Sequence, residues 1–353
     1  MKLNKIVMSK LVLKMSGKHL KYLFLNLAAV LFCLTMTAQE RMKNNNQKIA
    51  DKPLFRDPVF DGAADPTIIW SNKDKKWLMF YTNRRANMGG NGVSWVHGTL
   101  IGIAESEDGA HWKYKTICNI DYTVKDVTYW APEVIKHKNK YHMYLTIVPG
   151  IFEDWKHPRY IVHLTSKNLI DWKFESQLKL ASERCIDASV FQLPDGNWRM
   201  YYNNENDGKS IYYADSKDLY HWKDSGKKVV KDRGEGPKIF KWKGKNWMIT
   251  DPWKGLAVFS SDDFINWKRQ EKNILQIPGT GTDDKVIGGH ADVIVNNDKA
   301  YVFYFTHPGR TPENKGIDNF ETRRSSIQVA ELEYSNGEII CNRDKPVQIN
   351  LKN

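Results

Sequence analysis

Five side chains able to move a proton or steady a charge stand in short, similar contexts along this chain. They are Asp65 in Ala64-Asp65-Pro66-Thr67, Glu133 in Trp130-Ala131-Pro132-Glu133-Val134 and Asp187 in Ile186-Asp187-Ala188-Ser189-Val190, with Glu235 in Gly234-Glu235-Gly236-Pro237 and His290 in Gly289-His290-Ala291-Asp292. Each stands at the head of a short apolar run. Carboxyl groups collected in one place can divide the work of hydrolysis, one taking a proton from water and the other protonating the leaving oxygen. Four acids and a histidine gathered beside apolar strands would be costly as structure alone, since unpaired buried charge destabilises.

What positions them is a repeat. Ser106-Glu-Asp-Gly-Ala-His-Trp112-Lys is followed by Ser166-Lys-Asn-Leu-Ile-Asp-Trp172-Lys, Ser216-Lys-Asp-Leu-Tyr-His-Trp222-Lys and Ser261-Asp-Asp-Phe-Ile-Asn-Trp267-Lys. The Ser-to-Trp spacing is constant, and the tryptophans recur 60, 50 and 45 residues apart. Each copy closes a unit of one plan: an apolar opening strand, a tight polar turn, an aromatic-rich second strand such as Trp77-Leu-Met-Phe-Tyr81 or Trp198-Arg-Met-Tyr-Tyr202, then a third strand. The turns, among them Pro194-Asp-Gly-Asn and Lys243-Gly-Lys-Asn, have hairpin chemistry. A fifth unit ends in Ser326–Tyr334 without the tryptophan, as terminal repeats do. Five such units predict an all-β, five-bladed β-propeller, with a β-sandwich as the competing architecture. In a propeller the opening strand of each blade is innermost, so the five residues above are expected to converge at the axial mouth. The insert from Arg84 to His97, rich in Gly and Asn, is expected to border that mouth.

Residues 1–38 read as an export signal: six lysines and no acid, an apolar stretch from Tyr22 to Leu34, then small residues. The apolar stretch is shorter than the ~20 residues of a permanent span, and Phe32 before Cys33 fits a lipid-attachment site poorly. Residues 39–50 read as a disordered lead and 51–353 as the propeller. Without the first 38 residues the formal charge falls from +12 to +6, a weak excess with no Arg/Lys stripe, which argues against nucleic acid. Cys118, Cys185 and Cys341 are too few and too irregular for a disulfide scaffold or a zinc site. The chain is rich in aromatics, with 13 Trp, 16 Tyr and 14 Phe, side chains that suit both a core and the faces of sugar rings.

Ala-Asp-Pro-Thr, Trp-Ala-Pro-Glu-Val, Ile-Asp-Ala-Ser-Val-Phe and Glu-Gly-Pro-Lys-Ile, in this order, resemble the blade motifs of glycoside hydrolase family 43. That family has five-bladed propellers acting on arabinose-, xylose- and galactose-containing glycans. Glu133 stands where many members carry Asp, and Ala188 where many carry Pro, which bears on substrate more than on chemistry. The resemblance implies an inverting hydrolase with Asp65 as general base, Glu235 as general acid and Asp187 beside Glu235 raising its pKa. Inversion needs the two carboxyls ~6.5–9.5 Å apart to admit a water, whereas retention needs ~5 Å. It also implies that His290 lies on the axis, close to water or to a bound calcium or sodium ion, though no cofactor is required. Trp130 is expected to stack on the sugar, with Glu133, His290 and Arg310 completing the substrate contacts. The expected partner is an oligo- or polysaccharide met by a monomer in the periplasm or outside the cell, with no permanent membrane span. Asp57, in Arg56-Asp57-Pro58, is a second Asp-Pro and an alternative base, read as structural. A retaining fructan-type hydrolase, a propeller lyase or phosphorylase, and a non-catalytic carbohydrate-binding propeller remain as other readings.

Overall fold

The computed structural model describes residues 48–349, apart from Thr123, together with Leu351. The basic opening, the apolar stretch and most of the expected lead lie outside the described residues. Ile49 and Ala50, placed in that lead by the sequence, are instead ordered: Ala50 is buried and its N–H donates to the Val347 carbonyl at 2.9 Å.

The fold is an all-β, five-bladed β-propeller, each blade an antiparallel sheet of four strands read outward from the axis. Blade I comprises Ala63–Ser71, Lys76–Asn83, Leu100–Ser106 and Lys113–Ile117. Blade II comprises Thr128–His137, Lys140–Val148, Tyr160–Ser166 and Asp171–Gln177, with Asn119–Asp121 added in parallel at its outer edge. Blade III is Cys185–Gln192, Trp198–Asn204, Ser210–Ser216 and Trp222–Val230. Blade IV is Glu235–Trp242, Lys245–Asp251, Ala257–Ser261 and Lys268–Arg269. Blade V is Gly289–Asn296, Lys299–Thr306, Ser326–Ser335 and Glu338–Cys341.

Each apolar cluster lies between two blades, and the five together close the ring, the last joining Trp77, Met79 and Tyr81 of blade I to Tyr301, Phe303 and Phe305 of blade V. The repeated Ser…Trp motif explains much of this packing. Its serine hydroxyl accepts the N–H three residues on (Gly109, Leu169, Leu219, Phe264) at 2.8–3.0 Å. That residue takes a left-handed conformation in every copy, turning the chain so that the tryptophan faces the preceding blade. There Trp112, Trp172, Trp222 and Trp267 meet Phe303, Phe80, Tyr144 and Tyr201 edge-on, at interplanar angles of 81°, 84°, 89° and 83°. This geometry suits aromatic quadrupoles. The four tryptophans therefore occupy equivalent places, as their spacing predicts. Cys118, Cys185 and Cys341 are free thiols.

Candidate active site

All five innermost strands break register at the same point: at Ala64/Thr67, Trp130/Glu133, Ile186/Ser189, Glu235/Lys238 and Gly289/Ala291. Four of the bulged residues have positive φ: Asp65 (50°), Ala131 (44°), Asp187 (57°) and Gly236 (56°). Bulges re-aim side chains, and Asp tolerates this region better than most residues. The bulge N–H groups are held by the preceding blade. Ala131 N–H donates to Thr82 Oγ1 (2.8 Å), Asp187 N–H to Thr146 Oγ1 (3.1 Å), Gly236 N–H to Asp187 Oδ2 (3.1 Å) and His290 N–H to Asp251 Oδ2 (2.8 Å). At each bulge at least one of the bulge residue and the one before it faces a cavity of about 590 Å³, lined among others by Asp65, Asp187, Glu235, His290, Trp130 and Arg310.

Glu133 is the exception: expected among the substrate contacts, it does not line the cavity. It lies two residues past the bulge, level with Thr67, Ser189, Lys238 and Asp292, and that register turns it into the channel below the cavity. It is buried, accepts the Val190 N–H at 3.0 Å, and shares the Lys238 ammonium with Asp292 at 2.9 Å each. Asp292 in turn accepts the Ile68 N–H at 2.7 Å. This level is a polar belt joining blade to blade. Its positive charge is already supplied by Lys238, so the residues here do not fit a calcium or sodium ion: a metal would sit against an ammonium that both carboxylates already hold. His290, the proposed metal ligand, points Nδ1 at Asp65 Oδ1, 3.5 Å away. Among the described residues no group of three His, Cys, Asp or Glu side chains is arranged to hold a metal.

The carboxyls in the cavity differ in environment. Burial alone would raise the pKa of Asp65, but the Arg84 guanidinium, then His290 and a hydrogen bond from Thr82, hold it below the ordinary value. Arg84 Nη2 contacts both Asp65 oxygens, at 3.1 and 3.2 Å. Arg84 is itself held by the His307 ring nitrogen Nε2 (2.9 Å) and the Phe305 face (4.7 Å). Nδ1 of His307 meets the Arg324 carbonyl at 3.0 Å. Arginine only donates and a carbonyl only accepts, so the neutral tautomer with its proton on Nδ1 satisfies both bonds. Burial, with Arg310 and Arg84 nearby, keeps this imidazole well below its usual pKa.

Asp187 is pushed well above the usual range, by burial, then by Glu235 and Asp65. Glu235 reaches further into the cavity, its side chain 24 % exposed. Its Oε1 accepts the Trp253 indole N–H (3.2 Å) and its Oε2 meets Lys209 Nζ (3.3 Å). Asp251 lies opposite Glu235 in the blade IV ladder. Burial, then Glu235, raises its pKa to about 7. It also accepts the Trp253 N–H at 2.7 Å.

Several of these residues escaped sequence reasoning. Arg84 opens the insert expected at the mouth, and Trp95 in that insert lines the cavity, yet nothing in the repeat marked Arg84 as the partner of Asp65. Trp130 lines the wall, donating its indole N–H to the Val96 carbonyl (2.6 Å), with Trp155 at 6.0 Å and the Arg159 guanidinium 5.4 Å from its ring. Asp57, by contrast, does not line the cavity: it accepts the Tyr81 hydroxyl (2.6 Å) and the N–H groups of Val59 and Phe60, a structural role as read.

The model of the family described as glycosyl hydrolases family 43 matches residues 55–251. No curated protein matches the chain. Among solved structures, a thermostable family-43 glycoside hydrolase superposes with TM-score 0.61 at 20% identity, over 85% of this chain and 100% of the other. A family-43 β-1,3-galactosidase bound to galactodeoxynojirimycin gives 0.60 at 16% (81% and 96% covered). A family-43 β-xylosidase/α-arabinofuranosidase from a compost microbial metagenome, bound to xylotriose and calcium-free, gives 0.58 at 16% (83% and 97%). At these identities the likeness concerns the fold.

Proposed function

We propose that this chain, which belongs to glycosyl hydrolases family 43, is an exported glycosidase that cleaves arabinose-, xylose- or galactose-containing plant-type glycans with inversion. The observation that carries the reading is the split among three carboxyls in one cavity. Asp65 is held ionised by Arg84, while Asp187 retains a proton beside Glu235. Environments that push carboxyl pKa values apart mark the base and the acid. In this reading Asp65 deprotonates the attacking water. Glu235, the more exposed member of its pair, delivers a proton to the leaving oxygen, and Asp187 keeps that proton available. Trp130 and Arg310 grip the sugar, the first by its ring and the second through hydroxyls. No metal or cofactor takes part, the chain acts as a monomer, and export rests on residues 1–38.

The test pairs stereochemistry with mutation. NMR of the first-formed sugar shows the inverted anomer. Asp65→Ala loses at least ~10²–10⁴-fold on every substrate, the typical worth of general acid–base catalysis. Glu235→Ala is severe on glycans and milder on aryl glycosides, whose leaving groups need little protonation. A retained anomer, or equal loss on both substrate types for Glu235→Ala, defeats the assignment.

A further inference from the structure

The cavity wall carries more positive charge than its carboxylates account for. Arg84 is matched by Asp65, and Glu205 gathers Arg159 (3.0 Å), Arg184 (3.4 Å) and Lys209 (2.7 Å). Lys209 is shared with Glu235. Two lining guanidiniums remain. Arg310, on the Asp65 side, gives its Nε–H to the Thr322 carbonyl at 3.0 Å. Arg233, two residues before Glu235, is exposed and forms no ion pair among the described residues. Its guanidinium lies 5.0 Å from the Trp253 ring centroid, and Lys209 Nζ lies at the same distance from that ring.

This corner is built. Trp253 is an aromatic residue in the left-handed region (φ 59°), a conformation that stores strain and collects at functional sites. Asp251 fixes its backbone and Glu235 accepts its indole N–H, so the ring stays beside the acid. The loop carrying Arg233 is tied by Gly234: its N–H donates to the Lys209 carbonyl (3.1 Å) and its carbonyl accepts from Asn203 Nδ2. Two cations flank one indole here, and of the two Arg233 has no counter-charge among the described residues. Asp187 and Asp251, which could offset them, are buried carboxyls biased toward their neutral forms.

We propose that the Glu235 side of the cavity is a subsite for an anionic sugar, in which Arg233 binds a carboxylate or sulfate on the residue next to the scissile bond. The planar fork of arginine matches both groups with two parallel hydrogen bonds, which a sugar hydroxyl cannot accept. An anion there also relieves the repulsion between Arg233 and Lys209. The proposal deepens the glycosidase reading and rests on it for which side receives the leaving group.

Calorimetric titration of the full chain tests it without needing turnover. The probes are glucuronate and galacturonate, their neutral counterparts glucose and galactose, and glucose 6-sulfate. At least one anionic probe should bind about tenfold or more tighter than its neutral counterpart, with the margin shrinking in high salt. Arg233→Gln should bring that ratio close to one, while Arg310→Gln leaves it standing. Preference for uronates or for the sulfate identifies the source of the anion. Equal binding of anionic and neutral sugars overturns the proposal, as does a preference that survives Arg233→Gln or disappears with Arg310→Gln. Hydrolysis of aryl glycosides, measured separately, reports on the glycosidase reading alone, so the two can fail independently.

Discussion

Replacing Arg84 by Met tests how the base is kept ionised. The pair is well shielded, with side chains 19% and 7% exposed, and its N–O distance is 3.1 Å. At an effective dielectric constant of ~20, two unit charges at that separation interact by about 5 kcal/mol, an upper bound for the site. An arginine beside an aspartate typically lowers its pKa by about 1–3 units, equivalent to about 1.4–4 kcal/mol. Burial, which alone raises the Asp65 pKa, then acts against His290 and Thr82 only. Asp65 must be ionised to take a proton from water, so its pKa sets the acidic limb of kcat/KM in the free enzyme. That limb therefore moves upward by about 1–3 pH units in Arg84→Met, and activity below it falls tenfold per unit. Arg84→Lys keeps the charge and moves it far less.

The sign for stability follows from the same shift. With its folded pKa depressed, Asp65 contributes stability above its unfolded pKa that is lost as pH falls through the folded value. Without Arg84 the folded pKa rises, so the share of this contribution that the pair supplies is lost. The assay is kcat/KM on an aryl glycoside from pH 3.5 to 8, with urea midpoints at both ends. A limb that stays in place while activity drops equally at every pH would refute the reasoning and make Arg84 a substrate contact instead.

Two further outcomes follow from the structure. Asp187→Asn removes the proton held beside Glu235, so turnover of glycans falls more than turnover of aryl glycosides, whose leaving groups need little protonation; equal loss on both would show that Asp187 does not serve the acid. Trp172→Ala, at a site 1% exposed between blades I and II, should cost about 3–5 kcal/mol, read as a lower urea midpoint at constant m. Trp222→Ala should cost less, since Trp222 is only partly buried, and a reversed order would contradict the packing described.

The propeller was legible because its blades repeat a local device. Ser106, Ser166, Ser216 and Ser261 each cap a turn whose form depends only on nearby residues, so the sequence carries the pattern undiluted. Asp65, Asp187, Glu235, His290 and Trp130 line one cavity for a related reason: an innermost strand presents its first residues toward the axis, whereas Arg310 reaches it from the connection after the second strand of blade V. Asp251 ends the second strand of blade IV and Arg84 directly follows that of blade I, positions whose role in the site no motif marks. Trp155 and Trp253 were missed because they sit in connections whose lengths differ from blade to blade. The ordering of Ala50 depends on Val347, almost three hundred positions away, and no local signal announces such a contact.

Glu133 shows where motif alignment fails and why. Its Trp-Ala-Pro-Glu motif invites alignment of Glu133 with Asp65 and Asp187, yet the bulge residue of blade II is Ala131. An offset of two preserves the side of the strand, since side chains alternate with period two, so the polar pattern still looks consistent. What changes is depth along the axis, and depth decides chemistry. The bulge level faces the cavity, which Asp65 and Asp187 line. One step beyond the bulge turn, the level of Glu133, Lys238 and Asp292 is closed, and its charges are satisfied by one another and by the Val190 and Ile68 N–H groups. A carboxylate at the first level can exchange protons with a ligand. At the second level its charge is committed to an ammonium, so Glu133 joins blades and leaves the proton transfers to the residues above it.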